Sequence, residues 1–178
     1  MQEVKKFKIY EDLLEEEYLN NQSKQGYKLV GYDGKTYTFE KSEQSYYYLV
    51  EFFFNELSNY ELKQYAKRNI NLVLKYPSQK KGLYYFFASD QPIAASDRNL
   101  KDRYQQLLNT KHRTDKFSLV ILFSSFTFFS YLYFKSADSI YLLLLILILA
   151  LGIIYARVYL QIIKRLSEYL RILEKEGK

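Results

Sequence analysis

The polar and apolar positions divide this chain into two regimes. Over roughly the first ninety residues the pattern switches every few positions between the period of a half-buried strand and the spacing of one helix face. Residues 5–10 alternate lysine with Phe7 and Ile9 and predict a short strand. Leu14, Tyr18, Leu19 and Gln22 then keep a helical spacing behind an acidic opening, Glu11-Asp12 and Glu15-Glu16-Glu17. Acidic residues there complement the positive end of the helix dipole, a reading preferred to a metal or catalytic cluster. Gly26 stands where a helix ends in a left-handed cap. Tyr27–Tyr32 and Lys35–Lys41 read as a hairpin closed by a type I′ turn at Asp33-Gly34. After a polar turn at Lys41–Ser45, Tyr46–Phe54 predicts a long aromatic strand and Leu57–Arg68 a helix. Asn69–Tyr76 and Leu83–Ser89 predict a second hairpin around Pro77-Ser78-Gln79.

The two halves of this region match. A shift of 43 residues sets Phe7 on Val50, Ile9 on Phe52, Leu19 on Leu62, Gly26 on Asn69, Leu29 on Leu72 and Val30 on Val73. Beyond the hairpin turn the shift becomes 47, with Tyr37 on Tyr84 and Phe39 on Phe86. The expected fold is α+β: a two-layer domain of two β-α-β-β units at 1–90, its antiparallel-rich sheet carrying both helices on one face. The opposite face would then expose Tyr47, Leu49 and Phe53 with Tyr85 and Phe87, a candidate partner-binding surface. That tyrosine simply suits a half-wet strand is the alternative.

The second regime is apolar. Residues 91–116 form a basic connector, with Ser96-Asp97 as the expected cap of a helix from about Arg98. Leu100, Tyr104, Leu107 and Leu108 mark its apolar face. Phe117–Phe134 and Ser139–Ala156 follow, 18 residues each without a charge, separated by Lys135-Ser136-Ala137-Asp138. As helices each would span about 27 Å, near a hydrocarbon core of about 30 Å. A two-span transmembrane hairpin is expected. Tyr131, Tyr133 and Tyr141 would lie at its outer interface, Tyr155 and Tyr159 at its inner one. The tail, 157–178, continues as a helix through Tyr159, Ile162, Leu166, Tyr169 and Leu173. It is expected to pack on the 98–110 helix rather than to dimerise.

Charge orients the hairpin. The net charge of +6 is −1 over residues 1–97, +4 over 98–116, zero in the turn and +3 over 157–178. Lys111, Arg113 and Lys116 on one side and Arg157 on the other mark the inner interface. The positive-inside rule predicts a multi-pass cell-membrane protein with both termini cytoplasmic. Nucleic acid is not an expected partner, because the front domain is not basic. Met1–Tyr10 lacks the continuous apolar run of a cleavable signal.

Chemistry is sparse. There is no cysteine and one histidine, His112, too few for a zinc site. The six glycines form no phosphate-binding fingerprint. Neither span holds an ionisable residue, which argues against a pump or transporter. No catalytic residue, cofactor or metal is expected.

Glu17-Tyr18-Leu19-Asn20, Lys24-Gln25-Gly26-Tyr27-Lys28-Leu29-Val30 and Thr36-Tyr37-Thr38-Phe39-Glu40-Lys41 resemble the domain of unknown function numbered 2812. The resemblance is good over 5–53 and thinner over 57–104. Tyr18 and Tyr27 stand where that family commonly has tryptophan, and its segment after the last strand is faint at Ile93–Asp97. The resemblance implies a small bacterial membrane protein, often encoded beside PadR-type repressors, with no established catalytic residues.

The expected function is therefore non-enzymatic: a membrane-anchored protein whose cytoplasmic domain binds a partner or senses membrane state, in a regulatory role. Its expected partners are the bilayer and either another protein or a second copy of the chain; a small-molecule ligand is left open. The alternative is an envelope-stress or peptide-immunity protein acting through the hairpin.

Overall fold

The computed structural model describes residues 1–78, 81–94 and 97–176, with only the backbone at 113, 114, 116–119, 175 and 176. Its elements are β1 (Gln2–Val4), α1 (Asp12–Lys24), β2 (Tyr27–Tyr32), β3 (Thr36–Lys41), β4 (Tyr47–Phe53), α2 (Asn59–Lys67), β5 (Asn71–Pro77), β6 (Leu83–Ser89), α3 (Leu100–Ser136) and α4 (Ser139–Glu176). Met1–Arg103 and Tyr104–Lys178 form separate units.

The first unit is α+β, but its strands form two antiparallel sheets, not one. Their orders, β1-β3-β2 and β4-β6-β5, are the same arrangement used twice. Two details place the halves in register. Gly26 and Asn69 both end their helix with positive φ, 83° and 62°, as their alignment predicts. The second strands also share an irregularity. Pairing skips from Leu29 to Gly31 in β2 and from Leu72 to Leu74 in β5, leaving Val30 and Val73 as matched bulges.

The outer parts of the repeat correct the alignment. Leu29 pairs with Phe39 and Leu72 with Phe87, so the third strands match at a shift of 48 rather than 47. That residue matters, because a one-residue slip carries every side chain to the other sheet face. Tyr37 stacks on Phe39 and Tyr85 on Phe87, with interplanar angles of 20° and 14°. The first strand is likewise displaced. It occupies Gln2–Val4, whereas Lys8 and Glu11 close a turn through their own backbone and the Glu11 carboxylate. Phe7 leaves the sheet and packs its ring against Tyr18 and Tyr37. At the first hairpin only Gly34 has positive φ, so the turn is not type I′, which needs two left-handed residues. The Asp33 carboxylate instead accepts from the N–H groups of Lys35 and Thr36.

Two apolar clusters occupy opposite faces of the second sheet. One joins α1, through Tyr18 and Leu19, to Leu29, Tyr37 and Phe39 and to Tyr48, Val50, Phe86 and Ala88. The other joins Tyr65 of α2 and Ile70 to Leu49, Tyr85 and Phe87, with Tyr65 stacked on Phe87 at 4.6 Å. The two helices therefore do not share one face. Helix α2 opens with a capping box in which Ser58 and Glu61 satisfy each other's backbone N–H groups.

The second unit is built from α3 and α4. Ala137, with φ 55°, turns the chain, and Asp138 caps α4 by accepting from the Ile140 N–H. Ser124 and Thr127 direct their hydroxyls to carbonyls of their own helix. Among the described residues one helix, Ser139–Glu174, is long and apolar enough to cross a membrane. Val120, Phe123, Phe128, Leu143, Leu147 and Ile153 are all exposed on these helices. Leu107, Ile162, Leu166 and Tyr169 are buried.

Gly82 has φ 102°, and an added Cβ would lie 2.5 Å from the Phe53 carbonyl oxygen. Gly82→Ala should therefore destabilise the chain by about 2 kcal/mol or more. Asn69→Gly should stay within about 0.5 kcal/mol of the parent. Urea unfolding of the detergent-solubilised chain, followed by near-ultraviolet circular dichroism, separates the two.

Candidate functional site

The sheet face singled out by its aromatic pattern is interior. Leu49, Tyr85 and Phe87 are at most 1 % exposed and form the cluster beneath α2. Phe53 is half-buried and packs against the same cluster. Of the five expected partner-binding residues, Tyr47 alone remains open, 40 % exposed. The correction has a simple cause: α1 and α2 lie on opposite faces, so neither face of the second sheet is left as an aromatic surface.

The edge of that sheet carries the more unusual chemistry. In the order β4-β6-β5, β4 is an outer strand, and an outer strand leaves alternate backbone groups unpaired. Side chains meet them here. Just before the strand, Tyr46 N–H donates to Ser23 Oγ. Tyr48 N–H donates to Asn20 Oδ1 at 2.7 Å and Val50 N–H to Glu16 Oε1 at 3.1 Å. Residues 16, 20 and 23 recur at i, i+4 and i+7 and so share one face of α1. From the other side Arg103 donates to the Val50 carbonyl and Asn99 to the Phe52 carbonyl, while Asp102 accepts from Phe54 N–H. Asn99 also accepts from Asp102 N–H, so it caps α3 in place of the expected Ser96-Asp97. Asp97 instead pairs with Arg68, and Ser96 lies outside the described residues.

Glu16 ties both sides of this closure together. Both terminal nitrogens of Arg98 donate to its carboxylate, Nη1 at 3.0 Å. Around them Asp12, Glu51 and Arg103 are each less than 5 % exposed. Burial raises the Glu51 carboxyl to about 7 against the pull of Arg103, and its Oε2 has no hydrogen-bond partner. Burial also raises the Glu15 carboxyl, although Tyr37 donates to it at 2.6 Å. The acidic opening of α1 is thus structural wiring rather than a dipole complement alone. Among the described residues no cluster could hold a metal ion.

A second feature is an open cleft of about 530 Å³ where β2 and β5, the outer strands of the two sheets, come together. Both bulge residues, Val30 and Val73, line it, with Tyr46 and Tyr48. Tyr48 Oη accepts from Leu29 N–H at 2.8 Å, which bridges the sheets. Lys28, Asn71 and Asp90 supply a polar rim.

The expected interface residues fall on α3 and α4. Lys111 pairs with Asp115 at 3.7 Å and lies over the Tyr159 ring at 5.7 Å. Tyr131 and Arg157 are exposed; Tyr133, Tyr141, Tyr155 and Tyr159 are half-buried, with Tyr155 stacked on Tyr159. The side chains of Arg113 and Lys116 lie outside the described residues.

Glu16→Ala would strand both Arg98 and the Val50 N–H and should cost about 3 kcal/mol. Asn20→Ala strands one N–H and should cost about 1–2 kcal/mol. The double variant Glu16→Ala/Arg98→Ala should lose less than the two single losses combined. Urea unfolding of the four chains beside the parent checks all three expectations.

Comparison with known proteins gives one family. No curated protein and no solved structure gives a match. Residues 12–122, from the first residue of α1 well into α3, match the family described as Protein of unknown function (DUF2812). That span includes every side chain that closes the β4 edge, and the chain belongs to this family.

Proposed function

We propose that this chain is a membrane-anchored, non-enzymatic regulatory protein. In this reading a cytoplasmic α+β domain binds a partner or registers membrane state, and a two-span hairpin, 117–134 and 139–156, anchors it with both termini inside. The observation that carries the reading is the start of α3. Its first turn is bound to the β4 edge by Asp102 and Arg103, next to the Arg98–Glu16 pair, and its backbone then runs unbroken to Ser136. A change in the domain would act directly on the base of that helix.

The exposed apolar side chains of α3 and α4 support the anchor, since such a surface is costly in water and suited to lipid. The Lys and Arg excess on both flanks, against one Lys in the turn, supports the orientation. For partner binding the cleft between β2 and β5 is the better candidate, because the aromatic face is interior. Hairpin-borne immunity has weaker support, since Ser124 and Thr127 use their hydroxyls within their own helix.

Crosslinking in native membranes followed by purification should recover a partner with the full chain and lose it when residues 1–97 are deleted. A partner retained by the hairpin alone would favour the second reading, and a solitary chain in both cases would defeat the first. A reporter fused at Asp138 should be active only if it works outside the membrane, which tests the orientation.

A further inference from the structure

We propose that the exposed face of α4 beyond the apolar run, residues 157–174, docks an acidic amphipathic helix of another protein. The inference goes beyond the proposed function. It adds a contact site outside residues 1–97, and of that reading it uses only the membrane anchor.

Past Ala156, the two sides of α4 differ. Ile162, Leu166 and Tyr169 are buried. On the other side Leu160, Ile163 and Leu170 are 64 %, 39 % and 42 % exposed, and Ser167 is exposed among them. Positions 160, 163, 167 and 170 keep the 3-4 spacing of a heptad seam. Lys111 lies over the Tyr159 ring, so α3 runs beside this stretch. The exposed positions of α3 there are Gln105, Asn109 and His112, all polar. A helix face that meets only water carries such residues. The α4 face does not.

Charge selects the occupant. With Leu160 at position a of a heptad abcdefg, Arg157, Lys164 and Arg171 all fall at e, beside the seam. All three are exposed, and none has an ion pair among the described residues. The nearby Glu168 is engaged by Arg165 at 2.9 Å, and Glu174 stands only where the seam ends. A seam flanked in this way calls for Asp or Glu at the facing positions of the partner helix. A second copy of the chain does not supply them. In an antiparallel pair e faces e, which sets cation against cation. In a parallel pair e faces g, where this chain has Tyr159, Leu166 and Leu173, all uncharged and buried or half-buried.

A lipid surface also fits less well. From Ala156 to Arg171 the helix rises about 22 Å, whereas headgroups add only about 5–8 Å to each side of the hydrocarbon. With the second span in the bilayer, Arg157 reaches the headgroups and Arg171 stands clear of them.

The test is photocrosslinking of the full-length chain in native membranes, with p-benzoylphenylalanine in place of Ser167. Mass spectrometry of the adduct should identify a segment of another protein with apolar residues at 3-4 spacing and Asp or Glu beside them. The same probe at Asn109 should not capture that segment. Lys164→Glu/Arg171→Glu should cut the adduct about tenfold through like-charge repulsion. A lipid adduct, a second copy of this chain, a segment without the acidic pattern, or no adduct overturns the inference. So does an adduct that survives the charge reversal. If the reversed chain is not recovered in the membrane, salt decides in the parent: the adduct should fall severalfold between about 0.05 M and about 0.5 M, and an unchanged yield overturns the inference. A partner recovered through residues 1–97 with no adduct at position 167 would defeat this inference alone and leave the proposed function standing.

Discussion

The closure of the β4 outer edge is the constraint on which the rest of the first unit depends. A strand in that position offers a row of backbone donors and acceptors that must be paired, hydrated or hidden. Here side chains from two distant segments complete the pairing. Ser23, Asn20 and Glu16 approach from α1, and Asn99, Asp102 and Arg103 from the start of α3. Helix α1 must therefore pack on the first sheet and pair with the second at once. After β6 the chain must also return to β4 before α3 can begin. The Glu16–Arg98 pair joins these requirements, because one carboxylate oxygen accepts from both Val50 N–H and Arg98.

This closure fits the way the second sheet uses its side chains. Tyr48 and Val50 point into the cluster with α1, while Leu49 points into the cluster with α2. A sheet buried on both faces gains apolar contact but loses its hydrated surfaces. Glu51 shows the tension within that arrangement. It stands on the α2 side of a strand whose neighbours are otherwise apolar, where burial raises its carboxyl while the nearby Arg103 and Arg98 guanidinium groups pull the other way. The accessible features of the unit then lie at edges and seams, chief among them the cleft where the two bulges meet.

Local pattern was legible in the sequence; pairing between segments was not. Tyr27–Tyr32 and Leu83–Ser89 are strands at the expected bounds, because alternation and turn residues act over a few positions. The left-handed helix ends at Gly26 and Asn69 were also readable, whereas the Ser58-Asn59-Tyr60-Glu61 box, whose signature needs only four residues, went unread within the helix expected over Leu57–Arg68. The third-strand register was misread by one residue because it depends on how the two hairpin turns differ in length, which only the pairing reveals; the matched bulges at Val30 and Val73 likewise look like ordinary strand residues until their partners are known. The five aromatic-face residues were misassigned because alternation does not say which faces are covered. The edge closure had one local signal, the i, i+4, i+7 spacing of Glu16, Asn20 and Ser23. Its other half comes from residues about eighty positions later, beyond the reach of periodicity.

The basic flank before the hairpin changes meaning in the same light. Of its six Lys and Arg residues, Arg98 and Arg103 are engaged at the β4 edge. They are committed to protein contacts and are unavailable to lipid headgroups. In the proposed topology, the inward orientation would rest on Lys111, Arg113 and Lys116 before the first span and on Arg157, Lys164 and Arg165 after the second. That set still outweighs the single Lys135 in the turn, and the positive-inside rule counts residues close to the span ends most heavily. The connector thus separates into two functions along one helix. Its first turn attaches to the β4 edge, and in the proposed topology the cations several turns later would lie near the membrane surface. In that reading, a mechanism coupling the domain to the bilayer would have to act between those two levels.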